Sequence, residues 1–445
     1  MRTSKPILLF KPTLTLLSKN ESQVLEVLVE AGKLIIPIYI AQENHNQLGA
    51  NFYPKGISKE EIEKAAKKDP KILSPYTVVE KINGKLVAIP YHVKYANLLK
   101  PIADKLIEAA NITDNKEFAR RLLIQAKALL NGSYDEATIA WMKMKPYVLD
   151  INIGPVERYD DKLFFTKTSY QAWVGVMDEG ATKRARQFRD IILSARKHSL
   201  MSSEQVDFYD KVQIRVDDLL LFSGLIARTV FLGVDVPNDP NLMEKYGSEI
   251  TIFNQANEYR FKHEVLPAFN RIFSVSFKKL FSIRDIELGT LYSTILHELG
   301  HVYLRYRDSE KRLRDLFPII DELSAYVTGL KVGGYLLLKD VTDTKQLESM
   351  MVAFLARSFE MVLYEKDNRS KYHYMLGGAI FINYLLESGA IQEKGGVSWP
   401  NFTKMFFSLS ELAVVLDRIL SCGTRADAEV FIKKYGNIKK LQRFK

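Results

Sequence analysis

His297-Glu298-Leu299-Gly300-His301 sets two imidazoles and a carboxylate within five consecutive residues. On a helix, residues four apart share one face, so both imidazoles can reach a single metal ion. Glu298, rotated about 100° from His297, can reach a water beside such an ion without itself binding the metal. These are the parts of a zinc hydrolase: two neutral nitrogen ligands, an open coordination position and a carboxylate base. With seven histidines in the chain, the pentapeptide is expected by chance in roughly one such chain in a hundred. A catalytic zinc ion usually takes three protein ligands. Twenty residues separate His301 from Glu322, enough for a helix to end, turn and be followed by an antiparallel partner. There Asp321 and Glu322 interrupt an otherwise apolar helical stretch, Pro318–Gly329. Acids on an apolar helix are expensive to bury unless paired or bound to metal. One therefore reads as the third ligand and the other as its supporting neighbour, the pattern of a glutamate-zincin.

The motif closes an apolar run, Leu291–Leu296, and helical spacing continues around it. Periodicity predicts helices at about 180–198, 204–222, 256–272, 287–306, 311–338, 345–365, 373–388 and 402–420. Upstream, Ser58 and Glu61 form a capping box, and Asn83-Gly84 between β-branched runs predicts a hairpin with a type I′ turn. Strand-like blocks follow at Tyr147–Pro155 and Lys162–Val176, so β structure is expected only in the first 180 residues or so. Segregated strands and helices point to a helix-rich α+β fold of two lobes with a cleft. The expected division is 1–178, a smaller N-terminal lobe with β-hairpins and a small sheet, and 179–445, a helical lobe bearing the metal site and facing the cleft.

The chain has 445 residues, ample for two cores, and no run of eighteen apolar residues that would span a membrane. Only a four-residue apolar block follows the positive charges at the start, too short for a secretory signal. One cysteine, Cys422, excludes an intramolecular disulfide framework and a cysteine-ligated zinc site, and a cytoplasmic location is expected. The net charge of +10 comes from lysines interspersed with acids, concentrated only in the tail at Lys433, Lys434, Lys439, Lys440, Arg443 and Lys445. No nucleic-acid recognition motif accompanies them, so no nucleic-acid partner is expected. His45, His92, His198 and His263 belong to no motif.

Short words of sequence, in order along some 400 residues, are similar to the dipeptidyl peptidase III family in its shorter bacterial form. They include Asn51–Pro54, Ser74–Val79, Lys85–Tyr91, Ser133–Trp141, Asp150–Phe164 (with Gly154-Pro155-Val156-Glu157), Ala172–Val176, Val236–Asp239, Glu244–Gly247, the motif itself, Asp321-Glu322 and Asn383–Ile391. The resemblance implies a zinc-dependent peptidase of two lobes with a cleft, holding one Zn2+ per chain. It implies His297, His301 and Glu322 as metal ligands, Glu298 as the catalytic base and Asp321 beside the ligand set. Asp150, with Glu157, would hold the amino terminus of a small peptide substrate. A cleft-facing catalytic histidine would lie at His373, beside Tyr374, with Arg357 a further candidate donor. The chain departs from the family at three points: four-residue histidine spacing where longer members have five, Tyr326 where an acid is usual, and Asn152 where a tyrosine is usual.

The implied reaction is hydrolysis near the N terminus of short peptides, with Glu298 moving the proton from water to the leaving amine. Two alternatives stand beside it: a zinc hydrolase of the same fold acting on a non-peptide substrate, and a metal-binding protein without turnover.

Overall fold

A computed structural model describes residues 6–12, 17–43, 51–197, 211–237, 239–364, 372–395 and 397–445. His45 and His198 lie outside the described residues, as does the start of the helix expected at 204–222. The fold is α+β and helix-rich, in two compact units: Met1–Asp178 with Asp217–Phe231, and Glu179–Val216 with Leu232–Lys445.

The first unit combines strands with a layer of helices. Strand β1 (Ile7–Leu9) is followed by the hairpin of β2 (Thr77–Ile82) and β3 (Lys85–Pro90). Ile82 pairs with Lys85 across a two-residue turn, with Asn83 at φ 49° and Gly84 at φ 77°, as the type I′ turn requires. Strands β4 (Leu149–Glu157), β5 (Ser169–Met177) and β6 (Val212–Gly224) follow. Within this unit β4 pairs antiparallel with β5, β5 with β6, and β1 with β6. Helices Lys19–Lys33, Ala96–Ile112 and Lys116–Asn131 bury Leu28, Leu106 and Leu122 in the same core as Ile151 and Val174. The helix ends follow local chemistry: a capping box of Ser18 and Glu21, an Asn115 cap, and Gly132 at φ 82°.

The second unit carries β7 (Gly233–Val236) antiparallel to β8 (Ser248–Phe253), and the two-stranded pair β9 (Ile391–Lys394) and β10 (Val397–Pro400). Its bulk is a bundle of long helices: Ile283–Tyr303 (the motif helix), Phe317–Leu338 (the acid helix), Thr344–Tyr364, Tyr372–Glu387 and Phe402–Cys422. Pro318 sits in the first turn of the acid helix, where its missing N–H costs nothing. Among the described residues no helix is long and apolar enough to cross a membrane.

Two sequence expectations fail here. The segment read as a helix over 204–222 is, where described, strand β6, and β7 to β10 also lie beyond residue 180. Strand β6 is buried on both faces, and its alternating start gives way after Asp217 and Asp218 to an apolar run, Leu219–Phe222, so no single period spans the element. The β-branched alternation of Val212, Ile214 and Val216 was the signal available. The second correction concerns lobe membership: Asp217–Phe231 belongs with the first unit because β6 pairs with β5 there.

Candidate metal centre

The motif helix starts at a capping box, Ser282 with Asp285, which fixes its first turn. Ile295, Leu296, Leu299 and Val302 are buried around the motif, so this helix lies within the core rather than on its surface. Two glycines set its distance from the acid helix. A Cβ on Gly300 would lie 2.1 Å from the Ala325 carbonyl oxygen, and one on Gly329 would lie 2.2 Å from the Leu296 carbonyl oxygen. The two backbones therefore touch at the level of the histidines, which brings Glu322 over them.

One side-chain ligand atom from each of His297, His301 and Glu322 lies within 4.8 Å of the others. Glu322 Oε2 stands 3.3 Å from His297 Nε2 and 3.7 Å from His301 Nε2. Among the described residues it accepts no well-formed hydrogen bond, although it is buried. Its other oxygen, Oε1, accepts a hydrogen bond from the Tyr374 hydroxyl at 3.1 Å. A buried carboxylate oxygen facing two imidazole nitrogens, its partner oxygen tied back, is the arrangement that a small cation satisfies. The donor set of two nitrogens and one carboxylate oxygen suits zinc.

Electrostatics couple the three groups. Burial pushes His297 down to about 4, opposed by Glu322 and reinforced by His301, so its imidazole is neutral near pH 7. Burial acts the same way on His301, but Asp321 and Glu322 outweigh it and hold that imidazole well above its usual range. Burial would raise Glu322, yet the two histidines keep it well below the carboxylate range. His301 Nδ1 lies 3.3 Å from Asp321 Oδ2, an acid on its outer nitrogen. Arg305 reaches Asp235 on β7 at 3.3 Å. Burial raises the Asp235 carboxyl, and Arg305 and His301 partly offset that.

Glu298 is buried beside the start of β7, where a Cβ on Gly233 would lie 3.0 Å from its Oε1. Tyr326 stacks on the His297 ring, with centroids 3.8 Å apart and planes tilted by 26°. Arg357, expected as a donor to substrate, gives a hydrogen bond to the Tyr326 hydroxyl. Its guanidinium is buried and pushed down to about 10, through burial first and then the neighbouring Arg260.

Other expected residues fall differently. Asp150 is fully buried in the first unit, where its carboxylate faces Arg121 at 3.1 Å, Trp141 Nε1 at 3.3 Å and Trp173 Nε1 at 3.0 Å. Its carboxylate is thus the counter-charge of a buried arginine. Glu157 is also buried, at the end of β4 beyond a register shift. His373 packs against Tyr374 with centroids 4.2 Å apart and planes tilted by 43°, and it is Tyr374 that touches Glu322. Sequence reasoning missed Asp235, Arg305 and the Tyr326 stack. An acid between Val234 and Val236 in a short apolar strand was the trace of the first; the others rest on long-range packing.

No protein-family model matches the chain. Among curated proteins, Nudix hydrolase 3 of Arabidopsis thaliana is 26% identical over 366 residues, 80% of this chain and 46% of that protein. The chain thus spans about half the length of that relative. Among solved structures, dipeptidyl peptidase III from Caldithrix abyssi superposes with a TM-score of 0.83 at 24% identity, covering 96% of this chain and 92% of that one. The enzyme from Corallococcus sp. strain EGB gives a TM-score of 0.84 at 23% identity, covering 99% and 93%. The chain has the dipeptidyl peptidase III fold.

Proposed function

We propose that this protein is a zinc-dependent peptidase that cleaves short peptides near their N termini, in the manner that the names of its structural relatives describe. The observation that carries the reading is the convergence of His297, His301 and Glu322 from two helices held in backbone contact. Coverage of nearly the whole of two dipeptidyl peptidase III chains supports it.

Bound by His297, His301 and Glu322, zinc would supply Lewis-acid chemistry, polarising a peptide carbonyl and making water more acidic. The rest falls to the chain's own groups. Asp321, 3.3 Å from His301 Nδ1, would favour a proton on that nitrogen and leave Nε2 as the ligand atom. Tyr374 holds Glu322 by Oε1 and so presents Oε2. Glu298 takes the proton that the attacking water sheds and returns it to the leaving amine nitrogen. Burial of His297, Glu298 and Glu322 keeps competing water from screening their charges.

Metal analysis of the wild type beside Glu322→Ala and Glu298→Gln, with turnover of a dipeptidyl-arylamide, tests the reading. The expected result is about one zinc per chain in the wild type and in Glu298→Gln, which loses turnover, and little zinc in Glu322→Ala. Full turnover by Glu298→Gln would overturn the mechanism. Cleavage of esters but of no peptide would overturn the substrate class.

A further inference from the structure

The two histidines of the motif are supported by different physics. His301 has an acid, Asp321, 3.3 Å from its outer nitrogen, close enough for charge attraction although the pair lacks hydrogen-bond geometry. The outer nitrogen of His297, Nδ1, is buried and finds no hydrogen-bond partner among the described residues. What touches the His297 ring instead is a column of aromatic rings. Tyr326 lies against it at 3.8 Å, Phe354 lies nearly parallel behind Tyr326 at 4.1 Å and 11°, and Phe381 closes the column at 4.7 Å. The column is itself anchored, since Arg357 from the helix Thr344–Tyr364 donates to the Tyr326 hydroxyl. Tyr326 is one turn beyond Glu322 on the same helix, so the residue that steadies His297 and the residue that shares its metal move as one body.

A histidine ligand needs its ring plane fixed as well as its tautomer, and a hydrogen bond to the outer nitrogen commonly does both. Where that bond is missing, ring rotation about the Cβ–Cγ bond is left to packing, and a stacked ring on one face opposes it. We propose that Tyr326 is a positioning residue for His297, setting its ring plane by stacking rather than by a hydrogen bond to Nδ1, with Phe354 as the backing ring. The inference rests on the metal-centre reading above, and it assigns the work to the aromatic face of Tyr326, not to its hydroxyl.

The test measures zinc affinity by chelator competition, and the visible spectrum of the cobalt-substituted protein, in wild type, Tyr326→Phe and Tyr326→Leu. Phe keeps the ring and loses the hydroxyl, and Leu loses both. The expected result is zinc affinity within about threefold of wild type for Phe, and a loss of tenfold or more for Leu, the usual scale when support of a ligand is removed. The cobalt spectrum should be unchanged in Phe and altered in Leu. If Leu fails to fold, as judged by circular dichroism, Phe354→Leu loosens the same stack from behind and should lower affinity several-fold. Leu binding zinc like wild type would overturn the inference while leaving the metal site standing. Phe as weak as Leu would also overturn it, assigning the support to the hydroxyl and Arg357. A wild-type protein that binds neither zinc nor cobalt would overturn the metal-centre reading and this inference with it.

Discussion

At the residue scale, Glu298 is the group on which the proposed turnover rests most directly, and its neighbour Gly233 is the sensitive point. A methyl at Gly233 would meet Glu298 Oε1 at 3.0 Å and Ile252 Cδ1 at 2.9 Å. Gly233→Ala should therefore displace the carboxylate without touching any ligand. The expected outcome is a tenfold or greater fall in kcat with zinc content unchanged, read from steady-state kinetics beside metal analysis. The convergence of His297 and His301 was legible in the sequence because helix geometry is a local rule: two histidines four apart share a face whatever the rest of the chain does. Tyr326 on His297 and Arg305 with Asp235 were not legible, because 29 and 70 positions separate the partners (326 − 297 and 305 − 235) and no spacing rule connects them. Asp150 was singled out by its neighbours in sequence, yet its contacts with Arg121 and two tryptophans follow from no local rule either.

At the element scale, the contact between the motif helix and the acid helix decides whether three ligands meet. Gly329→Ala puts a methyl into the Leu296 carbonyl at 2.2 Å, so the helices must part. Overpacking of this kind costs roughly 1–3 kcal/mol. The expected outcome is a lower melting temperature together with weaker zinc binding, measured by calorimetry and chelator competition. Gly377→Ala is the contrast: its Cβ would meet nothing closer than 3.6 Å, in the interior of a helix. There alanine should be neutral or stabilising by about 0.5–1 kcal/mol, with zinc affinity unchanged. Long helices were read well from sequence, yet the acid helix begins later than its pattern suggested. Ser309–Leu313 form a short helix and Arg314–Leu316 a 3-10 turn, with Arg314 at φ 54° marking the break. The β6 error has the same origin as most of this unit's weak amphipathicity: elements buried all round carry little periodic signal.

At the scale of the whole molecule, stability responds to metal and to pH through different units. Zinc at a thousand times its dissociation constant should add about 4 kcal/mol. Calorimetry with and without zinc should show that gain in the wild type and lose it in Glu322→Ala. In the first unit, Lys167 is buried and pushed down to about 7 by burial, opposed by Asp161. Its Nζ donates to the carbonyls of Ile72 and Ser74 and to Thr77 Oγ1 at 2.6–2.8 Å. A lysine depressed in the folded state binds fewer protons there than in the unfolded chain between about pH 7 and 10.5. Stability contributed at this site therefore rises with pH across that window and is flat below it. Wild type should gain on Lys167→Met as pH rises from 7 toward 10, by a few kcal/mol at most, in denaturant titrations at each pH.

The path of β6 also has a consequence for how the protein is made. When translation has delivered Met1–Asp178, the strand that pairs with β5 has not yet been synthesised, because Asp217–Phe231 comes after 38 residues of the other unit (179–216). Until then the nascent chain carries β5 with an open hydrogen-bonding edge, the kind of edge that recruits foreign strands. Completion of the first unit thus waits until Phe231 has been delivered, about midway along the chain, and a fragment ending at residue 178 should aggregate more readily than the full chain.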